Sequence, residues 1–272
     1  MNNDRRTQSR FLLLEPILFF AFLFPRPLLC MLNGILAAIA SLFLETPRRL
    51  LRNFGLCLID TLSFACSSSS GVRRLVRNAE GLDQLRSAAA KGNGVILITP
   101  HMGNWELGGI YLSSLGFPMT VLTLTDDDPR TNRFREKLRR RHGIETVEIA
   151  GEEKGMTMLR IVAALREGRI VAMLTDRESS DFAVELSFLG GKKRLPAGPA
   201  LLSILTGAPI VPSFCLLNDD GSYTLLAERM IEPPAEGDRR SKIEGMTREW
   251  AGRFERRIEA HHDQWFSFAS AR

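Results

Sequence analysis

Apolar residues are distributed along the chain in two regimes. Between Phe11 and Leu44 they crowd into two blocks. Arg5, Arg6 and Arg10 precede the first block, residues 11–24, which Glu15 and Pro16 interrupt. Pro25-Arg26-Pro27 breaks the pattern, and the run from Leu28 to Leu44 then carries no charge. The second block comes close to the ~20 apolar residues that a bilayer crossing requires; the first does not. A cleaved signal peptide does not fit, because the apolar stretch is too long and restarts after its break. A membrane anchor, or a helical hairpin dipping into one leaflet, fits the blocks and the arginines before them, which would hold that end on the cytoplasmic side. A buried helical hairpin of a soluble domain is the alternative.

After residue 45 the pattern is that of a soluble α/β protein. Arg48, Arg49 and Arg52 lead into a mixed helical stretch through Phe64, and the serines from Ser67 to Ser70 mark a loop. Strands are expected at Val95–Thr99, Met119–Thr125, Ile144–Ile149, Ile170–Leu174 and Ala183–Phe188, with a pair at Ile210–Leu217 and Tyr223–Ile231. Helices are expected at Leu82–Ala90, Trp105–Leu115, Arg130–His142, around Met158–Leu165 and at Ala197–Leu205. A closing amphipathic helix carries Ile243, Met246, Trp250, Phe254 and Ile258 on one face. Short β-branched strands alternating with helices of about a dozen residues mark βαβ units. The expected fold is α/β, with a mainly parallel central sheet flanked by helices and an N-terminal hydrophobic helical region. Residues 1–45 form the membrane-associating part and 46–272 one catalytic domain.

Composition narrows the function classes. The chain has 272 residues, 44% hydrophobic and 25% charged, enough for one well-buried domain and too few for two large ones. A net charge of +5 favours anionic partners, whether lipid headgroups, an acidic carrier protein, phosphorylated substrates or nucleic acid; a solvated basic surface without a partner is the plain alternative. Cys30, Cys57, Cys66 and Cys215 lie far apart with no zinc-site spacing, and read as reduced structural thiols. No nucleophile elbow, phosphate-binding loop, dinucleotide fingerprint or H-E-x-x-H helix is present, so those chemistries are unsupported and no metal or cofactor is expected.

The candidate chemistry sits in His101-Met102-Gly103-Asn104-Trp105-Glu106. His101 directly follows a buried strand, at the carboxyl end where parallel sheets bind ligands. A histidine there can act as general base on an attacking hydroxyl. On one continuous helix, Glu106 would point about 140° away from it. Across a strand–turn–helix junction the chain folds back, so the carboxylate can meet the imidazole and fix its tautomer. Backbone N–H groups at the helix start offer help to a developing oxyanion. The spacing alone fits equally well with a surface histidine and an acid in a helix's first turn.

Thr99-Pro100-His101-Met102-Gly103-Asn104-Trp105-Glu106-Leu107-Gly108-Gly109 resembles the first motif of the bacterial lipid A late acyltransferases and the related mycobacterial phosphatidylinositol mannoside acyltransferases. Both lie within the glycerol-phosphate acyltransferase superfamily, whose signature is a histidine followed five positions later by an acid. The likeness continues in order through Arg139-Arg140-Arg141-His142-Gly143 and Leu174-Thr175-Asp176-Arg177-Glu178. It then runs through Val184–Gly190, Pro196–Ala200, Thr206–Pro212 and Asp263-Gln264-Trp265-Phe266. Glu178, Leu189 and His262 depart from the usual residues at their positions.

The resemblance implies O-acyl transfer from an acyl thioester to a hydroxyl of a lipid or glycolipid, as in lipid A biosynthesis. His101 would deprotonate the acceptor and Glu106 would orient His101. Arg139 and Arg177 would hold phosphates of the acceptor or of the donor's phosphopantetheine, and Asn104, Asp176 and Glu185 complete the substrate-binding set. The implied partners are a membrane lipid acceptor, an acyl-acyl carrier protein or acyl-coenzyme A donor, and an anionic membrane surface at the cytoplasmic face of the bacterial inner membrane. The rival class is a non-catalytic lipid-binding protein. It would grip anionic lipid with the basic helix at Arg130–Arg141 and with Lys192-Lys193-Arg194. Nucleic-acid binding lacks the interleaved aromatics it would need.

Overall fold

The computed structural model describes residues 25–44, 46–124, 129–149, 154–177 and 182–266. The first apolar block and Glu178 lie outside them. The chain divides into two compact units, Met1–Ser67 and Ser68–Arg272.

In the first unit, α1 (Arg26–Phe43) packs against α2 (Arg48–Phe64). The proline pair that breaks the apolar pattern starts α1, because proline suits a helix's first turn, where its missing N–H is not needed. Arg26 forks onto the fully buried Asp60, Nε and Nη2 donating to its two oxygens at 2.7 and 2.9 Å. The Asn33 amide donates to the Arg52 carbonyl at 2.8 Å. Because α2 packs on α1, the boundary between units lies beyond the compositional boundary at residue 45. Met31, Leu32, Ile35, Leu36, Leu42 and Phe43 of α1 are exposed. With 18 residues and a mean hydropathy of 1.7, α1 is long and apolar enough to cross a membrane.

The second unit runs α3 (Ser69–Arg73), β1 (Val76–Glu80), α4 (Leu82–Ala89), β2 (Val95–Thr99), α5 (Trp105–Ser114), β3 (Met119–Leu124), α6 (Pro129–Arg141), β4 (Glu145–Ile149), α7 (Lys154–Arg166) and β5 (Ile170–Leu174). It continues through β6 (Ala183–Phe188), β7 (Gly191–Pro196), α8 (Gly198–Thr206), β8 (Ile210–Leu217), β9 (Tyr223–Ala227) and α9 (Arg239–Ala260), and a short 3₁₀ turn at His262–Gln264 follows. Seven strands form one sheet in the order β1-β9-β8-β2-β5-β3-β4. From β8 to β4 all neighbours are parallel; β9 runs antiparallel to β8, and β1 lies parallel to β9 at the edge. The fold is therefore the expected α/β class with a mostly parallel sheet.

β2 sits mid-sheet between β5 and β8, which explains why its sequence is uninterruptedly apolar. Val95, Ile96 and Ile98 are fully buried, as befits a strand covered on both faces. α9 lays Ile243, Met246, Trp250, Phe254 and Ile258 into the core.

Four elements differ from expectation. The serine loop gives way to the short helix α3, which Ser68 caps by accepting from the Gly71 amide. β1 was too polar to read as a strand, and it survives as a partly exposed edge beside β9. β6 does not join the main sheet. It pairs in register with the unexpected β7, through the turn at Leu189-Gly190, as a separate two-stranded ribbon. The expected strand Tyr223–Ile231 ends at Ala227, and Ile231 instead makes a single bridge to Ile210.

Candidate active site

His101 is delivered by the carboxyl end of β2. Pro100 ends the strand, and the backbone turns sharply through Met102 and Gly103 into α5. Gly103 has φ +57°, and a Cβ there would lie 2.0 Å from the Cys215 carbonyl oxygen of β8, so only glycine fits. Asn104 caps α5, its side-chain oxygen accepting from the Leu107 amide at 3.0 Å.

The imidazole of His101 meets a carboxylate, and that carboxylate is Asp176. Nδ1 lies 2.6 Å from Asp176 Oδ1, and the indole Nε1–H of Trp265 donates to Asp176 Oδ2 at 2.9 Å. Asp176 is fully buried just beyond β5, the neighbour of β2 in the sheet, so adjacent strand ends bring the two side chains together. Burial pushes the Asp176 carboxyl up, but the His101 hydrogen bond and charge and the Trp265 indole outweigh it and hold the group below its ordinary value. An ionised carboxylate only accepts, so Nδ1 carries a proton, and in the neutral imidazole this tautomer makes Nε2 the acceptor. Among the described residues Nε2 has no hydrogen-bond partner, and the side chain is 20% exposed. Trp105 packs edge-on against the imidazole, with ring centroids 5.5 Å apart, and fixes its plane.

The segment after α9 straps this loop in place. The Phe266 amide donates to the His101 carbonyl at 2.8 Å, and the Gly103 amide donates to the Gln264 carbonyl at 3.0 Å. Gln264 ties the same segment to β8, its side chain bonding both the amide and the carbonyl of Leu217 at 2.8 Å. Arg177 is exposed and donates one N–H to the Phe266 carbonyl at 2.8 Å.

Behind the loop, between α5 and the sheet, lies a cavity of about 60 Å³. Gly109, Leu112, Val121 and Leu225 line it together with Glu106 and Arg139. Thr99 and Trp105, which flank the His101 turn, also border it.

Residues 45–270 match the family model described as bacterial lipid A biosynthesis acyltransferase. The chain belongs to that family. It is also 32% identical over 197 residues to a phosphatidylinositol mannoside acyltransferase of Mycobacterium tuberculosis (strain ATCC 25618 / H37Rv), covering 71% of this chain and 59% of that protein. A phosphatidylinositol mannoside acyltransferase of Mycolicibacterium smegmatis (strain ATCC 700084 / mc(2)155) is 33% identical over 141 residues, 52% of this chain and 46% of that protein. The chain thus spans less than two thirds of the length of these relatives.

Set on the structure, the residues expected from the family motifs separate into three groups. His101, Asp176 and Arg177 gather at the loop. Glu106 and Arg139 form their own pair: Arg139 Nη2 and Nε donate to the two Glu106 oxygens at 2.5 and 3.1 Å, with both side chains buried. The expected contact of Glu106 with His101 is therefore replaced by one from Asp176. The reason is geometric: α5 turns Glu106 toward α6, whereas β5 ends beside β2. Arg139 turns Nε and Nη2 of its guanidinium to Glu106 inside the unit, away from the His101 loop. Asn104 is spent on the helix cap and is buried. Glu185 lies apart, exposed on the β6–β7 ribbon with Lys192 Nζ at 3.5 Å, because β6 pairs with β7 outside the main sheet. The expected oxyanion donors are also fewer: the amides of Met102, Gly103, Asn104 and Leu107 already donate within the protein. Trp265 was visible in the sequence only as part of a motif; its bond to Asp176 follows from the strap, which no local pattern announces.

Proposed function

We propose that this chain moves a fatty acyl group from an acyl thioester, carried on acyl carrier protein or coenzyme A, to a hydroxyl of a membrane glycolipid, with His101 as general base. The observation that carries the reading is His101 at the mouth of a parallel sheet, with Nδ1 held by an ionised, buried Asp176 and Nε2 without a hydrogen-bond partner among the described residues. Nε2 takes the proton of the acceptor hydroxyl as its oxygen attacks the thioester carbonyl carbon. Asp176 stabilises the imidazolium that forms. Collapse of the tetrahedral intermediate breaks the carbon–sulfur bond, and the imidazolium returns its proton to the departing thiolate. The products are an ester and a free thiol.

The cavity under α5 is the place for the first methylenes of the acyl chain, since it is largely apolar and adjoins the His101 turn. At about 60 Å³ it is smaller than the ~150 Å³ that holds one benzene, so a long chain enters only as side chains along it move. The exposed apolar surface of α1 and the net positive charge support placement at an anionic membrane surface, on the cytoplasmic side. The membership of the family and the likeness to the mycobacterial proteins support a glycolipid acceptor of lipid A or phosphatidylinositol mannoside type.

The test gives purified protein an acyl thioester and candidate glycolipid acceptors, with His101→Ala beside it, and follows the product by mass spectrometry. Turnover in the wild type that is lost in the variant supports the reading. Lipid binding with no turnover by either protein sinks it and leaves the non-catalytic lipid-binding class.

A further inference from the structure

Lys193 is the one member of the Lys192-Lys193-Arg194 cluster that turns inward. It lies on β7 opposite Leu186, and its neighbours Lys192 and Arg194 are exposed. Its ammonium sits over two rings, 5.3 Å from the centroid of Phe188 and 5.1 Å from that of Trp265. Trp265 is the residue whose indole holds Asp176, so Lys193 stands one ring away from the His101 pair. Among the described residues no carboxylate forms an ion pair with it. The acid whose charge it feels is Asp176, and both oxygens of Asp176 are taken by His101 and Trp265.

The other cation near it is Arg177, which adjoins Asp176 in sequence and is tied by one N–H to the Phe266 carbonyl, the residue after Trp265. Burial pushes the Lys193 ammonium down from its ordinary value; Asp176 pulls it up again and Arg177 pushes it further down. A half-buried ammonium beside a guanidinium, with no carboxylate paired to it among the described residues, is an unfavourable arrangement by itself. It becomes favourable once an anion lies between the two: the guanidinium supplies a planar fork of donors and the ammonium a point charge. Ring contacts hold the ammonium in place without consuming its donors.

We infer that Lys193 and Arg177 together bind a phosphate ester beside His101, Lys193 being a substrate-binding residue assigned by no motif. This rests on the acyl-transfer reading for its purpose but not for its measurement. Two sources share the chemistry, the phosphate of the donor's pantetheine arm and a phosphate on the acceptor lipid.

Titration calorimetry of the full chain in detergent separates them with two matched pairs, 4′-phosphopantetheine against pantetheine and inositol 1-phosphate against inositol. The wild type is expected to bind the phosphorylated member of one pair at least about tenfold more tightly, the weight of one charge-assisted contact. The pair showing the preference identifies the source. Lys193→Met, which keeps the stem over the rings, should abolish the preference, and Lys193→Arg should retain most of it. Arg177→Gln, at an exposed position and checked by thermal unfolding because it also loses the Phe266 contact, should weaken it as well. The proposal is overturned if neither pair shows a preference in the wild type, or if Arg177→Gln or a folded Lys193→Met leaves the preference unchanged. A phosphate preference in a protein that consumes no acyl thioester upholds this site and defeats only the acyl-transfer reading. Turnover without any preference does the reverse.

Discussion

Replacing Asp176 by Asn separates the two carboxylates that compete for the role of orienting His101. In the wild type, Asp176 accepts twice, from His101 Nδ1 at 2.6 Å and from Trp265 Nε1 at 2.9 Å. An amide has one acceptor oxygen and one donor NH₂. If its oxygen keeps the indole, its NH₂ faces Nδ1 and forces the proton onto Nε2, where the imidazole no longer accepts the hydroxyl proton. If the oxygen keeps the imidazole, the NH₂ opposes the indole N–H in a fully buried site. Either way one charge-assisted bond is lost, about 1.5–3 kcal/mol. Because the first arrangement also fixes the wrong tautomer, kcat should fall by roughly 10²- to 10⁴-fold. Steady-state kinetics with an acyl thioester would read this, with thermal unfolding alongside. Asp176 also gives an acid-stability signature. Its folded pKa lies below the ordinary value, so its stabilising contribution is fully present above that ordinary value, near 3.8, and is lost as pH falls through the lower folded pKa. The gap in unfolding midpoint between wild type and Asp176→Asn should therefore narrow below about pH 4. A variant with kcat within threefold of wild type would refute the pairing of His101 with Asp176 as the working arrangement.

The other expectations concern the surroundings. Glu106→Ala leaves Arg139 buried without its partner, at a cost of roughly 3–5 kcal/mol, and should show first as a large drop in urea midpoint; unchanged stability with lost kcat would return Glu106 to the imidazole. Gly109→Ala should stabilise α5 by about 0.5–1 kcal/mol, since its Cβ would meet only Ile144 Cδ1 at 3.6 Å, while narrowing the cavity. Scanning calorimetry should show a higher Tm, and competition between thioesters a shift toward shorter chains; an unchanged chain preference would remove the cavity from the acyl path. Wild-type protein should stay in the membrane pellet at 1 M salt, where the Debye length is about 3 Å and surface charges are screened, and leave it only with detergent. Release by salt alone would assign attachment to the basic surface instead of α1.

The sequence by itself determined the parts whose physics is local. The unbroken apolar run Val95–Thr99 declares a strand covered on both faces, and the 3.6-residue spacing from Ile243 to Ile258 declares a helix with one buried stripe. His101 was legible as a candidate base because a strand end, a proline and a glycine precede or follow it within three positions. The polar strands β1 and β7 were not, since an edge strand and an exposed ribbon need no apolar alternation. Only the tertiary structure decided which carboxylate serves His101. Sequence proximity favours Glu106, five residues away, but the answer lies seventy-five residues on, because parallel pairing in register sets the end of β5 beside the end of β2. The same holds for Trp265 and Lys193, which reach the site from the strap after α9 and from the ribbon. Their positions are set by long-range packing, and no spacing along the chain encodes that distance.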